Sequence, residues 1–219
     1  HLVYKHCQDN KKDFYYIDRP YWGESRATPY WMRCVKNQHV KTFVDHRPDD
    51  RFKQQFKDPV KSFHKNGTYV LVVPPSHAMA EMFDGKHWLD NTIKVLKDNT
   101  DREIIVREKP YNPKAVIDGE GKMVPGKSAN NQPPKPFEWD KVHAVVTFNS
   151  SISIKALTNG VPAFANFDNP CMPVCEQDFS KIETPRYEDP RPVLHSLAYN
   201  QFTQEEFRSG YYMEILDGR

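Results

Sequence analysis

Four short segments of this sequence are apolar enough to be buried on both faces, and helical patterns lie between them. The segments are TYVLVV, REIIV, VHAVVTF and VPAFANF, which begin at residues 68, 102, 142 and 161. A strand that is apolar on both faces belongs in the middle of a parallel sheet covered by helices. The alternation of strands and helices therefore predicts an α/β fold with a Rossmann-like, doubly wound parallel sheet, helices on both faces and right-handed crossovers.

The charge distribution divides the chain into two parts. Residues 1–65 carry 14 Lys/Arg against 8 Asp/Glu, a balance of +6, whereas the remainder carries 17 against 21. We therefore expect a smaller basic N-terminal half, residues 1–66, and a larger half, residues 67–219. A basic half indicates a surface that faces an anion, with a plain solvated surface as the alternative. The Pro-, Gly- and Asn-rich segment 111–136 is predicted to be a long loop insertion in the larger half.

Composition excludes several classes of protein. Aromatic residues make up 13% of the chain and charges of both signs are mixed, which indicates a globular protein and not a disordered one. No apolar run reaches the roughly 18 residues of a membrane span and no signal-peptide pattern opens the chain, so no membrane partner is expected. The four cysteines are too few and scattered for a disulfide framework. Free thiols in a reducing compartment, and hence a cytoplasmic location, are expected.

Polar residues follow three of the predicted strands and are expected to form an anion site. In doubly wound sheets ligands bind outside the carboxyl ends of the strands, where the loops that begin at Pro74, Arg107 and Asn149 would meet. Asn149, Ser150 and Ser151 precede a predicted helix, whose free N–H groups and dipole, together with two hydroxyls, suit a phosphate. Serine is also a common helix cap without any ligand, and that alternative stays open.

Cations after the second buried strand strengthen the prediction. Arg107 and Lys109 are well placed for a diphosphate, which an arginine can grip through two hydrogen bonds. Ser76, in the loop after the first strand, would face the same ligand. The chain lacks the glycine pattern of a P-loop or of a dinucleotide-binding fingerprint, so neither a metal-held triphosphate nor a resident metal is expected.

Two residues are candidates for accepting a proton from a hydroxyl nucleophile. His77 is predicted at the same edge, as a general base or a phosphate donor, and an exposed loop histidine without a role is the alternative. Asp18 ends the first predicted strand and is the best carboxylate candidate. It could instead cap the residues that follow it or pair with Arg19.

Several segments together resemble a known group of proteins. They read YYIDRPYW, VLVVPPS, WLDNTIKVLKDNTDREIIVREKP, VHAVVTFNSSISIKALTNGVPAF and LAYNQFTQEEFRSGYYMEIL. They look like small glycosyltransferase-like proteins of phage and bacterial genomes, which are distantly similar to the nucleotide-sugar half of GT-B enzymes such as capsule polysaccharide and Kdo transferases. The likeness covers most of residues 14–219 and is strongest around Asn149–Ser151 and Gly160–Pro162.

The resemblance implies a fold and an activity. It implies a GT-B-like donor domain in residues 67–219, with the serine pair and the Arg-x-Lys strand end lining the donor pocket. Many relatives have a ribose-binding glutamate where this chain has Lys155, which argues against an ordinary uridine-diphosphate mode. The expected activity is metal-independent transfer of a sugar from a nucleotide-sugar co-substrate, with no other cofactor. Arg107, Lys109, Ser150 and Ser151 would neutralise the diphosphate.

The acceptor is expected on the basic half. For a phage-type protein, acting in the host cytoplasm, the most economical acceptor is a hydroxymethylated base in double-stranded DNA, because phosphate contacts would use the segment 1–65. A transferase that acts on a surface polysaccharide is one alternative. A non-catalytic nucleotide or nucleic-acid binding protein is another.

Overall fold

The structure is a computed structural model that describes residues 2–22, 30–107, 116–117, 123–124 and 137–218. In chain order its helices and strands are α1 (Leu2–Asp9), β1 (Tyr15–Asp18), β2 (Trp31–Lys36), α2 (Asp50–Gln55), β3 (Tyr69–Val73), α3 (His77–Met82), α4 (Trp88–Lys97), β4 (Glu103–Val106), β5 (Val116–Ile117), β6 (Met123–Val124), β7 (Val142–Thr147), α5 (Ile152–Thr158), β8 (Ala163–Ala165), α6 (Arg191–Ala198), β9 (Gln201–Thr203), α7 (Gln204–Ser209) and α8 (Tyr211–Asp217).

The four apolar segments form one parallel sheet in the order β4-β3-β7-β8. From β3 the chain crosses to β4 on one side, and from β7 it crosses to β8 on the other. The crossovers therefore diverge between β3 and β7, which pair from Val70 with Ala144 to Val73 with Thr147. Such a switch point leaves a crevice outside the carboxyl ends of the two strands.

Helices cover both faces of this sheet, as the sequence predicts. Val70 and Val72 of β3 belong to the core on the side of α4. The alternate residues Leu71 and Val73 belong to the core that α5 and α6 complete. Because successive side chains of a strand point to opposite faces, β3 has to be apolar at every position. The mixed α/β architecture with a parallel sheet is therefore confirmed.

A second, antiparallel sheet has the order β1-β2-β9 and draws on both ends of the chain. β2 pairs with β9, so that Met32 is opposite Phe202 near the C-terminus. The buried Arg51 of α2 reinforces this connection, since its guanidinium donates to Glu206 at 2.6 Å and to the carbonyl of Gln201 at 2.6 Å. The sheet of the basic N-terminal half is thus completed by a strand from the C-terminal end.

Aromatic contacts join the antiparallel sheet to the carboxyl edge of the parallel sheet. The ring of His39 lies 4.8 Å from that of Tyr16 in β1 and 5.2 Å from that of Phe83 at the end of α3. Phe83 in turn contacts Phe167 at 5.1 Å, and Phe167 stacks on Phe148 with ring centroids 4.3 Å apart. Phe148 and Phe167 follow β7 and β8, so the N-terminal layer reaches the edge where a ligand is expected.

Glycines with positive φ end three of the described helices, α5, α7 and α8. Gly160 follows α5 with φ +75° in the left-handed region, where glycine is the usual residue after a helix end. Near the C-terminus Thr203 and Glu206 form a capping box at the start of α7, and Gly210, with φ +82°, separates α7 from α8.

Two further sequence predictions concern the insertion and the membrane. In the predicted loop 111–136, β5 pairs antiparallel with β6, and the other residues of that segment lie outside those described. In the part of the chain that the structure describes, no helix is long and apolar enough to cross a membrane.

Candidate functional site

The switch point between β3 and β7 is closed by one buried threonine. The hydroxyl of Thr147, the last residue of β7, donates to the carbonyl oxygen of Val73 at 2.8 Å. The same hydroxyl oxygen lies 3.4 Å from the backbone N–H of Ser150, which donates to it. Thr147 is fully buried, so these hydrogen bonds form away from water. They fix the start of the turn 149–151 relative to the end of the neighbouring strand.

Ser150 shapes the turn with both its side chain and its carbonyl group. Its Oγ accepts a hydrogen bond from the backbone N–H of Ile152 at 3.3 Å, at the start of α5. Its carbonyl oxygen accepts from Ser153 Oγ at 3.2 Å and from Asn169 Nδ2 at 3.2 Å. The Ser150 hydroxyl thus accepts the first N–H of α5, whereas Ser151, the N-cap residue, makes no side-chain capping bond.

The turn also presents hydrogen-bond donors that no group in the described part of the chain accepts. Ser151 stands at the N-cap of α5, but its hydroxyl makes no capping hydrogen bond. Within the described residues the backbone N–H groups of Asn149 and Ser151 have no acceptor, and the buried Nδ2 of Asn149 has none either. Because α5 has only seven residues, these donors matter more than a helix dipole. Such a group of donors suits an anion.

Ser76 and His77 lie across the switch point, in the loop after β3. Ser76 caps α3, since its Oγ accepts from the backbone N–H of Met79 at 3.4 Å. His77 begins the helix, and 79% of its side chain is exposed, with Nδ1 3.6 Å from a carboxylate oxygen of Glu81. The structure thus brings the loops of Ser76 and Asn149 to neighbouring strand ends and leaves the His77 imidazole open to solvent.

The predicted cations have different surroundings. Arg107 follows β4, its backbone N–H donates to the carbonyl of Val72 at 2.8 Å, and its guanidinium lies 3.8 Å from the ring centroid of Phe137. The stack holds the guanidinium in place without using all of its N–H donors. Lys155 is exposed on α5, one helical turn after Ser151. Lys109 lies outside the described residues.

Asp18 lies in the antiparallel sheet and not in the loops of the parallel sheet. Its carboxylate accepts from Arg33 Nη2 at 2.7 Å and from the backbone N–H of Arg19 at 2.7 Å. The alternative in which Asp18 pairs with its sequence neighbour is thus partly realised, through the backbone of Arg19. Asp18 belongs to the layer that contacts the carboxyl edge through His39 and Phe83.

Three residues of the edge were not predicted. Thr147 and Asn169 are fully buried polar side chains that shape the turn, and Asp168 is an exposed carboxylate in the loop after β8. The ring of Tyr4 in α1 lies 6.1 Å from that of Phe83, and burial, and next the charge of Asp168, raises the pKa of this phenol. A sequence signal for the residues of this loop exists, namely polar residues directly after a predicted strand, as in NFDNP at residues 166–170.

A separate cleft of about 720 Å³ lies at the opposite, amino-terminal ends of β3 and β4. Among its lining residues, the guanidinium of Arg102 already donates hydrogen bonds to protein groups, to Glu183 at 2.9 Å and to the carbonyl of Gly67 at 2.6 Å. We therefore place the candidate site at the carboxyl edge, where donors remain unused.

Comparison of the chain with models of known protein families and with curated protein sequences gives no match. Across the described ranges, no group of three His, Cys, Asp or Glu side chains is placed to hold a metal ion.

Proposed function

We propose that this chain is a GT-B-like, metal-independent glycosyltransferase that holds the diphosphate of a nucleotide-sugar donor at the turn 149–151. The observation that carries the proposal is the set of unaccepted donors on Asn149 and Ser151, located at the switch point of a parallel sheet. Ligands of doubly wound sheets bind in such a crevice. The resemblance of the sequence to glycosyltransferase-like proteins supports the activity.

Charge for the leaving diphosphate would come from side chains near the turn. Neutral N–H and O–H donors bind phosphate oxygens but do not neutralise them, and a departing diphosphate gains negative charge. We assign two cations to this role. Lys155 is exposed one turn along α5. Arg107 stacks on Phe137, and its guanidinium N–H groups have no acceptor in the described part of the chain. A lysine at position 155 suits the diphosphate better than a ribose hydroxyl, which a carboxylate would bind.

His77 is the base that we propose for the transfer step. The acceptor oxygen forms a bond to the anomeric carbon, the bond from that carbon to the diphosphate oxygen breaks, and the acceptor proton passes to the His77 imidazole. His77 is exposed beside the switch point, whereas the Asp18 carboxylate is already engaged by Arg33 and Arg19. Asp18 remains the alternative base.

The acceptor that we propose is a hydroxymethylated base in double-stranded DNA, modified in the cytoplasm. Lys5, Lys11 and Lys12, on α1 and just after it, are exposed and have no acidic partner within the described residues. α1 contacts the carboxyl-edge layer through Tyr4, whose ring lies 6.1 Å from that of Phe83. Phosphates bound to these lysines would therefore bring a duplex toward the site. A surface polysaccharide is the alternative acceptor.

A non-catalytic nucleotide-binding protein is the second candidate. The position of Asp18 favours it, because this carboxylate lies in the antiparallel sheet, bonded to Arg33 and to the backbone N–H of Arg19, and not in the loops of the candidate site. Such a protein would bind the donor and transfer nothing.

The first test is a thermal-shift screen of nucleotide sugars in the presence of EDTA. A donor at 100 times its dissociation constant should stabilise the chain by about 2.7 kcal/mol. Hydroxymethylated DNA incubated with that donor should then gain a hexose- or pentose-sized mass. His77→Gln should abolish the gain and spare donor binding, with Asp18→Asn as the matched comparison. The absence of a shift with any common nucleotide sugar would refute the donor assignment, and binding without transfer would favour the non-catalytic candidate.

A further inference from the structure

The side chain of Asn169 connects the loop after β8 with the turn after β7. Its Oδ1 accepts from Ser153 Oγ at 2.8 Å and from the backbone N–H of Cys171 at 2.9 Å. Its Nδ2 donates to the carbonyl oxygen of Ser150 at 3.2 Å. Asn169 and Ser153 are both fully buried. One amide group thus links two loops and the first turn of α5.

These hydrogen bonds decide where the donors of the turn point. They hold the Ser150 carbonyl inward, and the peptide that this carbonyl shares with Ser151 is planar, so the N–H of Ser151 must point the opposite way. Ser153 Oγ donates to the same carbonyl at 3.2 Å, which adds a second restraint from the helix side. Among the described residues, no group accepts the Ser151 N–H.

We infer that Asn169 is a positioning residue for the anion site, preorganising the Ser151 N–H and hydroxyl for a diphosphate without touching the ligand. This inference rests on the proposed function, because it takes the turn 149–151 to be the diphosphate site. The residue acts through the Ser150 carbonyl. Its loss allows the Ser150–Ser151 peptide to rotate and weakens binding.

A purely structural role for Asn169 makes a different prediction. A buried amide that only stabilises the fold would lower the melting temperature when it is removed and leave the affinity of the folded protein unchanged. Ser151 provides the discriminating partner, because its hydroxyl makes no capping hydrogen bond. Two residues that act on one ligand through the same peptide show coupled losses, whereas independent residues show additive losses.

The experiment is a calorimetric titration of inorganic pyrophosphate and of UDP into the full chain, at a temperature where every variant is folded. The variants are Asn169→Ala, Asn169→Asp, Ser151→Ala and the double variant Asn169→Ala/Ser151→Ala. Thr158→Val is the matched control, since it removes a buried hydroxyl that bonds Ile154 within α5 at 2.9 Å, away from the turn. Ser153→Ala serves as a milder substitute in case Asn169→Ala does not fold.

We expect Asn169→Ala to weaken binding by about tenfold, a typical effect of removing a partner that orients a ligand-binding group. Asn169→Asp, which keeps the acceptor and loses the donor to Ser150, should lose at least as much, whereas Thr158→Val should bind like wild type. The double variant should lose less than the product of the single losses. Wild-type affinity in the folded Asn169 and Ser153 variants would overturn the positioning role alone. A wild-type chain that binds neither probe would overturn the proposed function as well.

Discussion

The hydroxyl of Thr147, in β7, donates a 2.8 Å hydrogen bond to the carbonyl of Val73, in β3. These are the two neighbouring strands between which the crossover connections of the parallel sheet diverge. The Thr147 hydroxyl oxygen also accepts the N–H of Ser150. One buried side chain therefore bonds both the end of β3 and the turn after β7. We expect its loss to change both the stability of the fold and the geometry of the proposed anion site.

Replacing Thr147 by valine should affect both properties. Valine keeps the shape and removes the hydroxyl, which leaves the Ser150 N–H without its acceptor. We expect the free energy of unfolding to fall by about 1–3 kcal/mol. Pyrophosphate binding should also weaken. Urea denaturation and calorimetry measure the two effects, and unchanged pyrophosphate affinity in a destabilised variant would show that the hydroxyl serves the fold alone.

Arg107 should contribute charge to the site from its stack on Phe137. Arg107→Ala should weaken UDP binding by about 1.5–3 kcal/mol, the usual worth of a hydrogen bond to a charged group. Arg107→Lys keeps the charge and should lose less. Phe137→Leu, which removes the ring that lies 3.8 Å from the guanidinium, should lose only roughly 0.5–1 kcal/mol, because both side chains of this cation–π contact are partly exposed. If Arg107→Ala binds UDP as tightly as wild type, Arg107 is a surface cation and does not contact the diphosphate.

His39 should make the stability of the chain depend on pH. Burial, and then the charge of Arg33, lowers the pKa of His39 to about 4, while Asp18 opposes the shift. The folded chain thus resists a proton that the unfolded chain accepts below about pH 6.5. Stability should be unaffected by this group above pH 6.5 and should fall as the pH drops from 6.5 to about 4, by roughly 3 kcal/mol at most.

The variant His39→Leu tests that assignment by removing the titrating ring between Tyr16 and Phe83. Its unfolding free energy should vary less between pH 6.5 and 4 than that of wild type. A smaller slope of the same sign should remain, because burial also lowers the pKa of His195. Equal slopes in wild type and variant would exclude His39 as the source.

Binding of double-stranded DNA should depend on the lysines of α1. The triple variant Lys5→Gln/Lys11→Gln/Lys12→Gln should weaken duplex binding and reduce its salt dependence by about 0.9 log units for each phosphate that the variant no longer neutralises. Lys57, Lys61 and Lys65 form the control set, since all three are exposed. Lys61 lies at the end of α5 farthest from the turn, where its N–H bonds the carbonyl of Thr158 at 3.0 Å. Loss of binding in the control set alone would move the DNA surface away from the site.

Local patterns made the sheet and the helix caps predictable. Tyr69–Val73 was predicted as a buried strand and is β3, because five consecutive apolar residues can be buried only between two layers of helices. The capping box at Thr203 depends on residues three positions apart, so it too could be recognised in the sequence.

Contacts between distant segments were not predictable in the same way. The pairing of β9 with β2 involves Gln201, a polar residue that is fully buried. Its side-chain oxygen accepts a hydrogen bond from the backbone N–H of Tyr21, which satisfies the buried amide. At the candidate site, Asn169 bonds the Ser150 carbonyl across 19 residues of sequence. Neither contact has a periodic signal, since each depends on where two loops meet in the fold. The turn itself was predictable from its position after a strand.

The most direct test of the central claim compares Ser151→Ala with Ser150→Ala. The Ser150 hydroxyl accepts the first N–H of α5, whereas the Ser151 hydroxyl makes no capping bond and is assigned to the diphosphate. Ser150→Ala should lower the free energy of unfolding by about 0.5–1.5 kcal/mol, the usual worth of one hydrogen bond. Ser151→Ala should leave stability within about 0.5 kcal/mol of wild type. In a metal-free titration of UDP, Ser151→Ala should bind about tenfold more weakly than wild type. Equal affinity of Ser151→Ala and wild type, or no UDP or pyrophosphate binding by wild type, would contradict a diphosphate site at this turn.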